Sequence, residues 1–344
     1  MELVSVTEKT QLIDPAGAPA EQVIEHRTDP LTGAVASINL ALGEKARAFL
    51  GTADDALLQE LQEKSRAGCP FCGAAEKGTR YPAAFVREGQ LRVGTALAMP
   101  NLFSKCRHDS VVILDVGGHV LLPSRIGAPA LANGIRAAVE LVRRTRAADP
   151  TSVHHLVGMN FLPPGGSSVP HPHFQVHVRS VPYSGVSRLL EASAAWKRRS
   201  GQDFWTTLVE TERQQEARYV GHAGPVHWLA AWAPSHQKEL WGVLPGIGSL
   251  AELEEAGVGG FALGLSRALS FYEALGTHPF TLAFLSSPTP GRGGEFALQV
   301  RVCSRPALKS LYVNYETWFG PLFGGDEVHT AAPESYAAQL RARW

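Results

Sequence analysis

Little in this chain favours a broad electrostatic or membrane role. Acidic and basic residues balance at 32 each, so no basic stripe is available to displace the counterions of a nucleic acid. A local pocket for a single phosphate is compatible with that balance. No apolar run approaches the ~20 residues that span a bilayer. The start, MELVSVTEKTQLIDPAGAP, lacks the basic and apolar stretches of a secretory signal, and the expected compartment is the cytoplasm. Cysteine is scarce, with Cys69, Cys72, Cys106 and Cys303 the four in the sequence. With no secretory signal, the close pair Cys69 and Cys72 reads as metal-binding or redox chemistry before it reads as a structural disulfide. Charged residues make up 19% and hydrophobic ones 44% of the 344, which calls for a packed globular core rather than disorder. That length suits two average domains or one fused duplicate of a smaller unit.

The order of elements points to duplication. In the first half, strand-like runs at 110–116 and 119–123 precede a helical segment at 129–147, where Leu131, Ile135, Ala138, Val139 and Val142 recur at helical spacing. A strand at 155–161, the Gly/Pro loop PPGGSS and a strand at 171–178 follow. The second half repeats the order, with strands at 226–232 and 240–244, a helix at 250–274, a strand at 280–285, the loop SSPTPGRGG and a strand at 295–302. MNFLPPGGSSVPHPHFQVHV lies opposite LAFLSSPTPGRGGEFALQVRV, so that His171, His173, Gln175 and His177 face Glu295, Ala297, Gln299 and Arg301. A chance likeness of two αβ segments is the competing explanation. Turn residues at 182–185 put the expected division between an N-terminal half, 1–184, and a degenerate C-terminal half, 185–344, with one working site. Strands joined by hairpin-length links, with helices set apart, give an α+β antiparallel sheet rather than a doubly wound one.

His171, His173, Gln175 and His177 fall on one face of their strand because side chains alternate, with neighbours ~6.5–7 Å apart. Phe174, Val176 and Val178 face the other way. A solvated strand face would account for the polar set by itself. The preceding loop argues for a ligand instead, since Gly165, Gly166, Ser167 and Ser168 lead into His171 and can turn N–H groups and hydroxyls toward a phosphate oxygen. Imidazole is largely unprotonated at neutral pH, attacks phosphorus well, and forms a phosphoramidate reactive enough to be passed on. His173 is the expected nucleophile. Gln175 cannot act as a general acid but can donate to a phosphoryl oxygen. It therefore favours a leaving group that departs as a stabilised anion, such as a sugar phosphate, over an amide or alkyl group.

Cys69-Pro70-Phe71-Cys72 has the short loop that places two thiolates on one metal. Closing a tetrahedral site takes two more ligands. His119, after the Gly117-Gly118 turn, and His171 are the candidates. A Cys2His2 set leaves no open position and would be a structural zinc site, pinning the 69–72 loop beside the active strand. An unligated dithiol, and a site completed by His108 or Cys106, are the alternatives. Cys106 and Cys303 otherwise read as ordinary buried thiols.

The Cys-x-x-Cys pair, a single His about fifty residues later, and His-Pro-His-x-Gln resemble the galactose-1-phosphate uridylyltransferases, the transferase branch of the histidine-triad superfamily. The resemblance extends to Arg27-Thr28-Asp29-Pro30-Leu31-Thr32-Gly33, to Asn101-Leu102-Phe103, to Asn160 and Ser168 ahead of His171, and to Tyr315-Glu316. It implies two fused histidine-triad-like halves in an α+β antiparallel sheet, and a homodimer. It implies zinc on Cys69, Cys72, His119 and His171, a covalent nucleotidyl intermediate on His173, and Gln175 on the phosphoryl group. Asn160 and Ser168 would assist catalysis. Asn101, Phe103, Phe71, Gly166 and Ser167 would line the nucleotide, and Glu316 the hexose. The implied reaction moves a nucleoside monophosphate, UMP in the family, from a nucleotide sugar to a sugar 1-phosphate in two displacements. A nucleotide-sugar phosphorylase using inorganic phosphate is the nearest rival. A catalytically silent, zinc-containing nucleotide-binding protein is the rival of another class.

Some positions depart from that pattern. Phe174 stands where a small residue is usual. Leu285, Gln299 and Arg301 stand where some members keep the histidines of a second, iron-type site, so that site is expected to be absent. Trp318-Phe319-Gly320-Pro321 is unlike the common sugar-facing tail, and His177 lies outside the pattern with no role assigned.

Overall fold

Alternating, β-branched segments form the strands of this chain, and periodic alanine- and leucine-rich segments form its long helices. The computed structural model describes residues 1–43, 53–310, 314 and 316–344. A ribbon opens the chain: β1 (Val4–Ile13), β2 (Pro19–Thr28) and β3 (Val35–Ile38). Helix α1 (Asp55–Ala67) follows, capped by Asp54, whose carboxylate accepts from the Leu57 N–H. Next come β4 (Leu91–Val93), β5 (Ala96–Pro100), β6 (His108–Ile113), α2 (Ala128–Ala148), β7 (His154–Phe161) and β8 (His173–Arg179). Helices α3 (Ser184–Ser200) and α4 (Phe204–Gln215) then lead into β9 (Tyr219–Ala223), β10 (Val226–Ala230) and β11 (Leu240–Leu244). The chain ends through α5 (Glu255–Ala274), β12 (Phe280–Leu285), β13 (Leu298–Ser304), β14 (Glu327–His329) and α6 (Pro333–Arg341).

Ten strands form one sheet in the order β4-β5-β6-β8-β7-β12-β13-β11-β10-β9. The order is the same read outward from the β7–β12 seam in either direction, once β4–β8 are matched with β9–β13. Even the exchange that puts β8 between β6 and β7 recurs, as β13 between β11 and β12. All its pairings are antiparallel. The fold is thus α+β, two fused halves sharing one antiparallel sheet. A smaller sheet, β1-β2-β3-β14, joins the ribbon to the chain's end through a parallel β3–β14 pair. Arg27 of β2 stacks 4.2 Å over Trp232 and bonds Glu334 at 2.8 Å, so the ribbon packs on the second half.

Expected and observed elements agree in type more than in edges. The run 119–123 is irregular rather than a strand. The Gly117-Gly118 turn and Pro123 prevent a ladder there, because proline lacks the N–H it needs. His171 lies just ahead of β8, which starts at His173.

One face of the large sheet is covered by α2 and α5 around the main apolar core. Phe174 is fully buried there, and Gly134 of α2 makes the room: a Cβ at Gly134 would lie 2.9 Å from Phe174 Cε2. The bulky residue after His173 therefore fills the core and leaves the opposite face free. That opposite face is covered in two places. Phe71 and Ala74 lie over Leu97, Met99, Val111 and Ile113. Leu189, Phe204 and Trp205 lie over Trp241, Val243 and Ala297. Between the two covers runs a strip on β8 and β7 that carries His173 and Gln175.

Candidate active site

Three separate stretches assemble the metal-ligand set. Cys69 and Cys72 follow the end of α1, His119 follows a glycine turn, and His171 precedes β8. Their ligand atoms all lie within 4.8 Å of one another. His171 Nδ1 is 3.5 Å from Cys69 Sγ and 3.6 Å from Cys72 Sγ, and His119 Nδ1 is 3.5 Å from Cys72 Sγ. Each ring is aimed by its other nitrogen. His171 Nε2 donates to the Asp115 carbonyl at 2.7 Å, and His119 Nε2 lies 2.9 Å from Ser65 Oγ. With the protons on Nε2, both Nδ1 lone pairs face the thiols, as a metal site needs. Burial holds both histidines below the ordinary value, and for His119 the neighbouring His171 and Arg66 add to it. Their neutral, ligating form is favoured. Burial and the adjacent Cys69 push the Cys72 thiol up, a proton that a bound cation would displace. Two thiols and two imidazoles converging, with no fifth donor among the described residues, fit a closed tetrahedral ion. The alternative ligands are occupied elsewhere, His108 on Asp149 at 2.9 Å and Cys106 on the His108 carbonyl at 3.4 Å.

His173 is only 5% exposed and points away from the Phe174 core. Its Nδ1 donates to the His171 carbonyl at 2.7 Å, which leaves Nε2 unprotonated and bare. Phe71 sets its edge against the ring at 4.9 Å. Burial lowers the His173 pKa to about 4, against the opposing pull of that carbonyl, so the ring is neutral at physiological pH. Gln175 stands one period along, between Val111 of β6 and Gly158 of β7. Asn160 lies two residues beyond Gly158 on β7, opposite Thr281 of β12, its amide nitrogen 3.5 Å from where a Gly166 Cβ would sit.

The loop between β7 and β8 is held under strain. Leu162 has φ +63° and ψ +162°, a region glycine normally fills, at a cost of ~1–3 kcal/mol. Its carbonyl accepts from Gly165 N at 3.0 Å and Ser167 N at 3.1 Å, while Gly166 N bonds Pro163 O at 2.9 Å. Gly166 itself takes φ +85°, which suits glycine. The N–H groups of Gly166 and Ser167, expected to face a phosphate, thus close the turn instead, and Ser167 Oγ donates to Val169 O at 2.7 Å. Ser168 is exposed and makes no hydrogen bond among the described residues, so it is the loop's free donor.

The remaining predicted residues are spread more widely. Asn101 has both ends of its amide engaged, donating to Asp109 Oδ1 and accepting from Phe103 N, each at 3.1 Å. Phe103 projects with 80% of its surface exposed. Glu316 is buried and pairs with Arg305 at 2.9 Å, its carboxyl pushed up to about 7 by burial despite that partner. Tyr315 lies outside the described residues. Leu285, Gln299 and Arg301 hold no histidine, and Arg301 stacks 3.9 Å over Trp241. Sequence reasoning missed Ser65, Asp115 and Asp109, which act on site residues through folding contacts alone. A cavity of about 780 Å³ adjoins the strip, floored by Thr281, Ala283 and Arg301 of β12 and β13. It shares an edge with the histidine strip but does not contain His173.

No family profile matches the chain. It is 26% identical over 332 residues to an uncharacterized protein of Archaeoglobus fulgidus, covering 95% of this chain and 94% of that one. Among solved structures it is similar to an ADP-glucose phosphorylase from Arabidopsis thaliana with bound ADP-glucose, at 16% identity and TM-score 0.69 over 92% of this chain and 98% of the other. A uridylyltransferase structure matches at 19% identity and TM-score 0.66 over 92% and 97%. A galactose-1-phosphate-uridylyltransferase-like protein from Arabidopsis thaliana matches at 15% identity and TM-score 0.68, over 92% and 98%. The chain has the fold of these proteins, the one its sequence resemblance implies.

Proposed function

We propose that this chain is a nucleotidyltransferase of the galactose-1-phosphate uridylyltransferase type, working through a covalent nucleotidyl adduct on His173. The observation that carries the reading is the 2.7 Å bond from His173 Nδ1 to the His171 carbonyl. It holds the proton on one nitrogen and turns the other into a nucleophile in a dry site. In the first displacement the Nε2 lone pair attacks the α-phosphorus of a nucleotide sugar. The P–O bond to the sugar phosphate breaks and its electrons leave on that oxygen. The His171 carbonyl stabilises the positive charge that develops on the ring. Gln175, Ser168 and Asn160 supply donors to the phosphoryl oxygens. In the second displacement an acceptor phosphate oxygen attacks, the P–N bond breaks, and its electrons return to Nε2. Two in-line steps give net retention at phosphorus and ping-pong kinetics.

Zinc on Cys69, Cys72, His119 and His171 would tie the 69–72 loop, and Phe71 with it, against the strip. The donor is UDP-linked and the acceptor a sugar 1-phosphate, by the resemblance, with Asn101, Phe103, Phe71, Gly166 and Ser167 near the nucleotide and Glu316 near the hexose. The working unit is a cytoplasmic homodimer, each chain of which holds the halves 1–184 and 185–344. No helix among the described residues is long and apolar enough to cross a membrane.

A second reading takes inorganic phosphate as the acceptor. The similar structure named ADP-glucose phosphorylase favours it. Intact mass after mixing with UDP-glucose and with ADP-glucose tests the adduct, which should map to His173 and vanish in His173→Asn. Chasing the adduct with galactose 1-phosphate or with inorganic phosphate separates transferase from phosphorylase. No adduct from either donor leaves a nucleotide-binding protein without catalysis.

A further inference from the structure

His177 is a polar residue of the β8 face that the chemistry leaves unused. It stands two positions beyond Gln175 and directly opposite Asp109 of β6. Asp109 has no exposed side-chain surface, an unusual place for a carboxylate unless something is built on it. It accepts from Asn101 Nδ2 at 3.1 Å and from Lys105 N at 2.7 Å. Its Oδ1 also lies 3.6 Å from His177 Nε2, which is buried with no hydrogen bond among the described residues. Nδ1 makes none either, and 17% of the side chain is open on the strip. Asp109 therefore draws the ring's proton to Nε2, and Nδ1 is left as an acceptor facing outward. Burial, Lys105 and Arg179 favour this neutral form, and only Asp109 opposes them.

An outward acceptor calls for a ligand that brings a hydroxyl. Gln175 and His177 are one strand period apart, roughly 6.8 Å. That is about the span from the phosphorus of a nucleotide to its ribose hydroxyls. The end of the strip beyond His177 suits a base, because Leu102 and Phe103 expose 72% and 80% of their surfaces there, on the turn that Asn101 and Asp109 hold. The other direction from His173, over Gly158 and Ala283, opens on the large cavity and suits the leaving group. Asn101 donates to Asp109 and accepts from Phe103 N, and so holds this turn in place.

We propose that His177, backed by Asp109, is a ribose-binding residue that accepts a hydrogen bond from the sugar hydroxyls of the nucleotide and selects ribonucleotides over deoxyribonucleotides. The assignment of the ligand rests on the nucleotidyl-transfer reading, so binding and adduct formation are measured apart. Calorimetry of UDP, ADP and their 2′-deoxy and 3′-deoxy forms reads binding. Intact mass with UDP-glucose and ADP-glucose reads the His173 adduct. The wild-type chain should bind the ribonucleotide about tenfold more tightly than at least one deoxy form. His177→Phe should lose that ratio, and His177→Gln, which keeps an acceptor, should retain most of it. A merely structural role would lower the melting temperature without moving the ratio. Equal binding of ribo and deoxy forms by the wild-type protein, an unchanged ratio in His177→Phe, or no nucleotide binding at all overturns the proposal. Ribose discrimination by His177 without any adduct would instead overturn the transfer reading and leave this one standing.

Discussion

Ser65 offers the sharpest test of how the metal site is built, because it touches a ligand and not the metal. Its Oγ lies 2.9 Å from His119 Nε2. Ser65→Ala keeps all four ligands and removes only the group that bonds the far nitrogen of His119 and holds the ring's tilt. One neutral hydrogen bond contributes ~0.5–1.5 kcal/mol, or roughly two- to thirteenfold in affinity. Groups that orient metal-bound histidines cost ~10–100-fold when lost. The ranges meet near tenfold, the loss expected for zinc. Deleting a ligand is a different perturbation. A four-ligand zinc site carries roughly 10–16 kcal/mol, so Cys72→Ala should lose on the order of 3 kcal/mol, more than a hundredfold. Helix propensity does not confuse the comparison, since alanine stabilises α1 by only a few tenths of a kcal/mol, about the difference between the two residues. The measurement is competition for zinc against a chromophoric chelator with the wild type, Ser65→Ala, Ser65→Thr and Cys72→Ala. Ser65→Thr should keep most of the affinity. Wild-type affinity in Ser65→Ala, or a loss as large as that of Cys72→Ala, refutes the idea that Ser65 aims His119.

Other perturbations reach the strip, the core and the buried histidines. Gln175→Ala should slow His173 labelling by about a hundredfold, the usual cost of one transition-state donor, with KM for the nucleotide sugar nearly unchanged; a pure KM effect in stopped-flow labelling would reassign it to ground-state binding. Phe174→Ala, at a fully buried position, should cost ~3–5 kcal/mol by urea unfolding; a loss under about 1 kcal/mol would mean that Gly134 and its neighbours close the gap. Buried His155, whose Nε2 is 2.7 Å from Ser286 Oγ, is held at about 4 by burial in the folded chain, against an ordinary value of 6.5. Its folded value is depressed, so its stabilisation is complete above 6.5 and is lost as pH falls toward about 4, on the order of 3 kcal/mol in all. His155→Gln should therefore lose less stability than the wild type across that window. Glu316 and Glu327, both raised to about 7, act with the opposite sign but equally in both proteins. Parallel urea midpoints for the two proteins at every pH would refute the His155 assignment.

Much of the architecture follows from local rules. Strand alternation put His173 and Gln175 on one face and Phe174 on the other, and the structure keeps that division. Helical periodicity placed α2 within a residue at each end, as Ala128–Ala148. Edges drifted where a turn competed with a ladder, as at 119–123 and at His171. The loop donors were the larger departure. Sequence can say that glycines and serines precede His171, but the N–H groups of Gly165, Gly166 and Ser167 are spent on the Leu162 and Pro163 carbonyls. Which N–H closes a turn and which stays free depends on dihedral angles that composition does not encode.

Residue type and spacing alone determined that this chain has two thiols and two imidazoles suited to one metal, and a further histidine two residues past one of those imidazoles. These are covalent facts about which atoms exist and how far along the chain they lie. Tertiary structure alone decided which nitrogen of each histidine does the work. The Asp115 and His171 carbonyls set the tautomers of His171 and His173 from 56 and 2 residues away, and Ser65 and Asp109 face the rings of His119 and His177 from 54 and 68. Two of those partners are main-chain carbonyls, which every residue carries, so no side-chain pattern can announce them. A hydrogen bond is directional and reaches only a few ångströms, and only the folded sheet brings such groups within that reach.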